Sequence, residues 1–185
     1  MRSVAQPVTV ISTRLADEKH SLHGATLSSV SSVGLHPLPL IAFSLRQPSR
    51  LADALHSNRS ANSKASHCIV NFLAAHQSEL AIRFSRPDLH PEPFISAMYH
   101  YDDNLPVFDE TLGALSCSVL TSLPLSSQVL GQFGFTDKLD LLPEKEHSSE
   151  LFVARVNRVL VSKVTLNVDR KPLVYHQGTF KSVNS

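Results

Sequence analysis

Apolar and polar positions along the chain alternate over short runs rich in β-branched residues. These are PVTVIST from Pro7, ATLSSVSSV from Ala25, PLIAFSLR from Pro39, HCIVNFLA from His67, GALSCSVL from Gly113, LFVARVNRVLV from Leu151 and PLVYHQGTF from Pro172. Each reads as a strand, which gives seven candidate strands. In HCIVNFL, Cys68, Val70 and Phe72 share one face while Ile69, Asn71 and Leu73 take the other. Both faces are largely apolar, as in a strand covered on both sides within a closed sheet. Helical spacing occurs twice. One helix opens at Ser49, an N-cap after Pro48, with Leu51 and Leu55 one turn apart. The other runs through HQSELAIRF, where Leu80 and Phe84 are four apart and Pro87 ends the run.

Two long connections remain, residues 87–111 and 121–150, and connections of that length in a compact domain are functional or mobile. No repeat, low-complexity tract or dividing linker interrupts the chain, so residues 1–185 are expected to form a single domain. A mainly β architecture follows, an antiparallel barrel with peripheral helices, because so many short strands would otherwise leave unpaired edges.

The charge balance narrows the partners. Seventeen basic and 16 acidic residues give +1, which offers no broad attraction for a nucleic-acid backbone or an anionic membrane. No stretch approaches the roughly 18 apolar residues of a membrane span, and MRSVAQPVTV lacks the layout of a secretory signal. Cys68 and Cys117 each sit in an apolar run where a buried thiol packs well. An intracellular location, cytoplasmic or mitochondrial, is the expectation. Ten histidines invite a search for a metal site. However, His20 and His23, His67 and His76, and His90 and His100 show no ligand spacing, and the two cysteines lie far apart, so no metal is expected.

Chemistry concentrates in HGATLSSVSSVGLHPLPLIAFSLRQPSRLADAL, residues 23–55. Hydroxyls crowd at Thr26, Ser28, Ser29, Ser31, Ser32 and Ser44, followed by Arg46, Ser49 and Arg50 at a helix start. Hydroxyls and backbone amides at strand ends can hold a polar ring edge, and a helix N-terminus with an arginine suits a phosphate. This outlines a mononucleotide site. The alternative is a Ser-rich strand whose hydroxyls satisfy backbone groups, with Ser49 only a cap. The aromatic group Phe94, Tyr99, Tyr101 and Phe108 reads either as a lid or, more commonly, as packing beneath a long loop.

The order of the pieces adds a resemblance that covers nearly the whole chain. PVTVIST, GATLSSVSSVGLHP, PLIAFSLRQPSR, VNFLAAHQSELAIRF and the closing YHQG resemble, in sequence and spacing, the flavin reductase-like family with its FMN-binding split barrel. The resemblance implies a homodimer of split β-barrels binding FMN, or in some members FAD, near the subunit boundary. It places the flavin ring against Ser28, Ser29, Val30 and Ser31, beside Thr26. The phosphate would lie near Ser44, Arg46, Ser49, Arg50, Arg83 and Phe84. The implied activity is transfer of a hydride from NADH or NADPH to the flavin, which itself carries the chemistry. Reduced flavin would then pass to a partner monooxygenase.

One departure weakens the nicotinamide half of that picture. Many members carry a Gly, acidic, His, Thr turn before the strand that here begins LFVARV, whereas this chain reads EHSSELFVARV, with His147 about two residues out of step and Ala154 where glycine is frequent. His176 in YHQG is the candidate catalytic contact to the nicotinamide or the flavin edge, against the plain reading of a hydrogen-bonded histidine. A flavin-binding protein with another redox partner is the alternative function. A barrel that has kept the fold without the ligand is a third.

Overall fold

A computed structural model describes residues 3–60, 67–134, 148–163 and 170–183. The strands are β1 (Gln6–Pro7), β2 (Thr9–Arg14), β3 (Leu22–Leu27), β4 (Ser31–Gly34), β5 (Leu40–Arg46), β6 (Cys68–Phe72), β7 (Tyr99–Asp102), β8 (Leu105–Phe108), β9 (Gly113–Leu125), β10 (Ser149–Leu160), β11 (Leu173–His176) and β12 (Thr179–Ser182). The helices are α1 (Arg50–Ser60), α2 (Ser78–Ser85) and the short α3 (Ser127–Gly131). The chain is therefore mainly β, and the two helices read from spacing both form.

Seven strands make one antiparallel sheet in the order β3-β2-β6-β9-β10-β5-β4. Its two edge strands, β3 and β4, are not hydrogen-bonded to each other, yet only Ser28, Ser29 and Val30 join them. Such a link spans at most about 14 Å when fully extended, so the sheet must roll until its edges approach. The result is a barrel with a split between β3 and β4. Ser29, in the link, is tied to β5 by its side chain: its Oγ donates to the Ser44 carbonyl and accepts from the Ser44 amide, both at 3.1 Å. This continues the register in which Ser31 faces Ala42 and Ser32 faces Ile41.

The rolled sheet buries side chains on both faces. Inside it, Ile11, Phe43, Val70, Cys117 and Phe152 join Leu51 and Leu55 of α1 in one cluster. Phe43 and Phe152, directly opposite across β5 and β10, stack at 5.5 Å. Outside it, Val8, Val10, Leu73, Ala81, Phe84, Phe108 and Leu173 form a second cluster under α2. Each fully buried Phe, Leu or Ile contributes about 1.5–3 kcal/mol. Asn71, buried on β6, donates to the Val10 carbonyl (3.1 Å) and accepts from the Phe108 amide (2.9 Å), which fastens the β7–β8 hairpin to the barrel.

The structure revises several boundaries expected from the sequence. ATLSSVSSV is two strands broken at residues 28–30, because the chain crosses from one sheet edge to the other there. PLVYHQGTF is a hairpin whose turn residues, Gln177 (φ 52°) and Gly178 (φ 84°), both lie in the left-handed region. The long connection after Pro87 contains a second such hairpin, β7–β8, turning on Asp103 (φ 49°) and Asn104 (φ 63°). Phe94, Tyr99 and Phe108 pack against Phe84 or one another, as satellite packing predicts. In the other long connection, β9 runs on to Leu125 and α3 follows, while residues 135–147 lie outside the described residues.

The two cysteines come together. They are distant in sequence, but Cys68 and Cys117 are register partners across β6 and β9. Both are buried and free, and burial pushes the Cys117 thiol up to about 12 and the Cys68 thiol well above its ordinary value. Among the described residues no group of three or more His, Cys, Asp or Glu side chains is placed to hold a metal, and no helix is long and apolar enough to cross a membrane.

Candidate functional site

Helix α2 lies against β3, and one glycine sets how closely. A Cβ on Gly24 would come within 2.9 Å of the Phe84 ring and 3.1 Å of the Ile11 carbonyl oxygen. One turn earlier on α2, the Ala81 carbonyl accepts the Thr26 hydroxyl at 2.7 Å. With α2 fixed at these two points, the outer face of β3 is divided into two recesses.

The larger is an open groove of about 880 Å³ between α2 and the β11–β12 hairpin, lined by Thr26, Ser28, Ser85, Arg86, Tyr175 and Thr179 among others. Its one charged side chain, Arg86, forms a two-point pair with Asp88 (3.0 and 2.9 Å). That pair holds the Asp88 carboxyl below its usual range, chiefly through the side-chain hydrogen bond. Both members are more than half exposed, so the pair adds little stability.

The smaller recess, about 480 Å³, lies on the other flank of α2, lined by His23, Gly24, Arg50, Arg83, Phe84 and Phe94 among others. Arg50 is the first residue of α1, whose N-cap is Ser49, with Oγ accepting from the Ala52 amide at 3.2 Å. Arg83 pairs with Glu79 one turn away and donates to the Ser96 carbonyl at 3.3 Å. Burial holds the His23 imidazole below its ordinary range, and the neighbouring Arg50 charge acts in the same direction. Two guanidinium groups at one opening, which Glu92 also lines, suit a phosphate.

The chain as a whole matches known proteins in the same terms. The model of the "Flavin reductase like domain" family matches residues 1–184. The chain belongs to that family. Among solved structures, the flavin reductase PheA2 is similar at 21% identity, with a TM-score of 0.68, covering 100% of this chain and 94% of that one. The styrene monooxygenase flavin reductase of Pseudomonas putida is similar at 18% identity (TM-score 0.66; 98% and 93% covered). The NADH:FAD oxidoreductase SgcE6 of Streptomyces globisporus, solved with NAD and FAD fragments, is similar at 16% (TM-score 0.68; 98% and 87% covered).

The residues that carry the likeness to flavin reductases are divided by α2. Arg50, Arg83 and Phe84 meet at the smaller recess, Thr26 and Ser28 at the larger. Ser29 is engaged with Ser44, which lies half-buried on β5, and Ser31 is exposed on β4. Val30 turns its side chain into the core at 7% exposure, leaving only its backbone to meet a ligand. Arg46 is exposed at the end of β5. Phe84 is a core residue whose ring also packs on Phe94 and Phe108. His176 sits partly buried at the β11–β12 turn, its carbonyl accepting the Thr179 hydroxyl at 3.1 Å; it does not itself line the groove. Sequence reasoning missed Tyr175, Thr179, Arg86 and His23, which become neighbours of the site only through hairpin formation and the seating of α2. His147 lies outside the described residues. The β10 residue opposite Arg46 is Ser149.

Proposed function

We propose that this protein is an NAD(P)H-dependent flavin reductase. The smaller recess holds the flavin phosphate, the serine-lined split takes the flavin ring, and the larger groove takes the nicotinamide. What supports this most is the meeting of Arg50, the first residue of α1, and Arg83 of α2 at one opening, beside a second recess of low charge on the same strand. The residues fit an FMN phosphate: the Arg50 and Arg83 guanidinium groups offer charge-assisted donors. The bound flavin would supply the redox chemistry, accepting a hydride from the reduced nicotinamide. The chain contributes binding and orientation. Arg50 and Arg83 hold the anionic end, while Tyr175 and Thr179 offer a stacking surface and a hydroxyl where a second ring would approach.

FMN rather than FAD, a homodimer, and delivery of reduced flavin to a monooxygenase complete the proposal. Val33, Leu35 and Leu38 are exposed around the β4–β5 connection, with Leu35 at 70%, an apolar surface that supports a partner subunit. The styrene monooxygenase flavin reductase supports the third element by analogy. Mixing the protein with FMN and either NADH or NADPH should bleach the flavin absorbance. Absence of acceleration with both nucleotides rejects the proposal.

Ser149 opposite Arg46 supports a second reading, a flavin-binding protein with another redox partner, because the resembled turn carries a histidine before this strand. That reading predicts tight FMN retention on gel filtration with slow oxidation of both nucleotides. Rapid turnover with either one excludes it.

A further inference from the structure

β10 turns alternate side chains inward, and Phe152 and Ala154 fill the core. The preceding position in that inward row is Glu150, a carboxylate only 8% exposed. A buried carboxylate needs partners to offset its desolvation, and Glu150 finds them on both sides of the turn that leads into α1. Its Oε2 accepts from Gln47 Nε2 at 3.0 Å, and its Oε1 meets His56 Nε2 at 2.9 Å. Gln47 is also held through its backbone, the amide donating to the Ser148 carbonyl at 2.9 Å. His56 lies in the second turn of α1, with its ring 5.4 Å from that of Phe152. One carboxylate thus ties β10 both to the connector before Ser49 and to the body of the helix after it.

We propose that Glu150 is a positioning residue for the flavin phosphate, fixing through Gln47 and His56 the start of α1 and with it where Arg50 stands at the smaller recess. This rests on the reading of that recess as the phosphate end. Glu150 does not touch the ligand; its effect is confined to the part of the ligand that Arg50 meets. A residue that merely supports the barrel would instead affect every ligand alike.

Riboflavin, which lacks the phosphate, separates the two cases. FMN and riboflavin are titrated by flavin fluorescence into the full-length wild type, Glu150→Leu, Glu150→Gln and Gln47→Ala. Wild type binds FMN more tightly than riboflavin. Glu150→Leu weakens FMN by about tenfold, as expected for losing hydrogen bonds to a charged group, and leaves riboflavin affinity unchanged. Glu150→Gln recovers most of the loss, since its amide keeps the shape of the carboxylate and can still accept from Gln47. Gln47→Ala, which leaves the inward row of β10 intact, shows the same FMN-selective loss in smaller degree and decides the matter if Glu150→Leu fails to fold. Equal losses for both ligands, or no loss for FMN, overturn the inference. A wild type that does not distinguish FMN from riboflavin overturns the phosphate assignment beneath it.

Discussion

The two recesses on either side of α2 share a strand and a helix but differ in chemistry. The smaller collects Arg50 and Arg83, the latter paired with Glu79, together with Glu92. The larger has one arginine, already paired with Asp88, among hydroxyls and the Tyr175 ring. Several hydroxyls near the split serve the fold: Thr26 bonds Ala81, Ser29 bonds Ser44, and Ser49 caps α1. The difference shows that the hydroxyl-rich sequence here is first a device for holding a split barrel together. In the proposed function, specificity for an anionic end would come from cations delivered by two helices.

The broadest effect should come from removing the boundary between the recesses. Gly24→Val sets a branched side chain against the Phe84 ring and the Ile11 carbonyl, and it should cost about 1–3 kcal/mol of stability. Denaturant unfolding measures the loss, and binding at both recesses should weaken with it. An unchanged midpoint would show that α2 can shift freely.

Next, Arg50→Ala should weaken FMN binding by about 1.5–3 kcal/mol, the scale of a charge-assisted hydrogen bond to phosphate. An unchanged dissociation constant would put the phosphate elsewhere. Tyr175→Ala, on the larger side, should raise the nicotinamide KM by about three- to tenfold through lost ring contact while leaving FMN affinity nearly alone. Equal effects on both ligands would erase the proposed division of labour.

The smallest effect concerns His23. Its folded-state pKa lies below the ordinary 6.5, first through burial and then through Arg50, so the unfolded chain binds the proton more readily. The stability this contributes is present above about pH 6.5 and is lost as pH falls from there through the lower folded value. Because His23 is partly exposed, the loss should stay below about 1 kcal/mol. His23→Asn should flatten that part of the acid limb of the stability curve, and a wild-type slope retained in the variant would contradict the assignment.

Much of this was legible in the chain itself. Strand periodicity, the Ser49 cap and the order of the motifs pointed to a mainly β barrel with the right helices. Turn chemistry was harder to read, because Asp103-Asn104 and Gln177-Gly178 adopt left-handed conformations that Asn-Gly would have signalled more plainly. The break at Ser28 was hidden because strand-like residues continue across it. Division of the site by α2 was not legible at all: it depends on the Gly24–Phe84 contact, made between residues 60 apart in sequence. For the same reason, the opposition of Cys68 and Cys117 and the burial of Glu150 between Gln47 and His56 emerge only with the register of β9 and β10.

A crystal structure with FMN bound would test the assignment of the two recesses most directly. The phosphate should lie within hydrogen-bonding distance of Arg50 and the first turn of α1. A phosphate seated instead beside Ser85 and Arg86 in the larger groove would contradict the account.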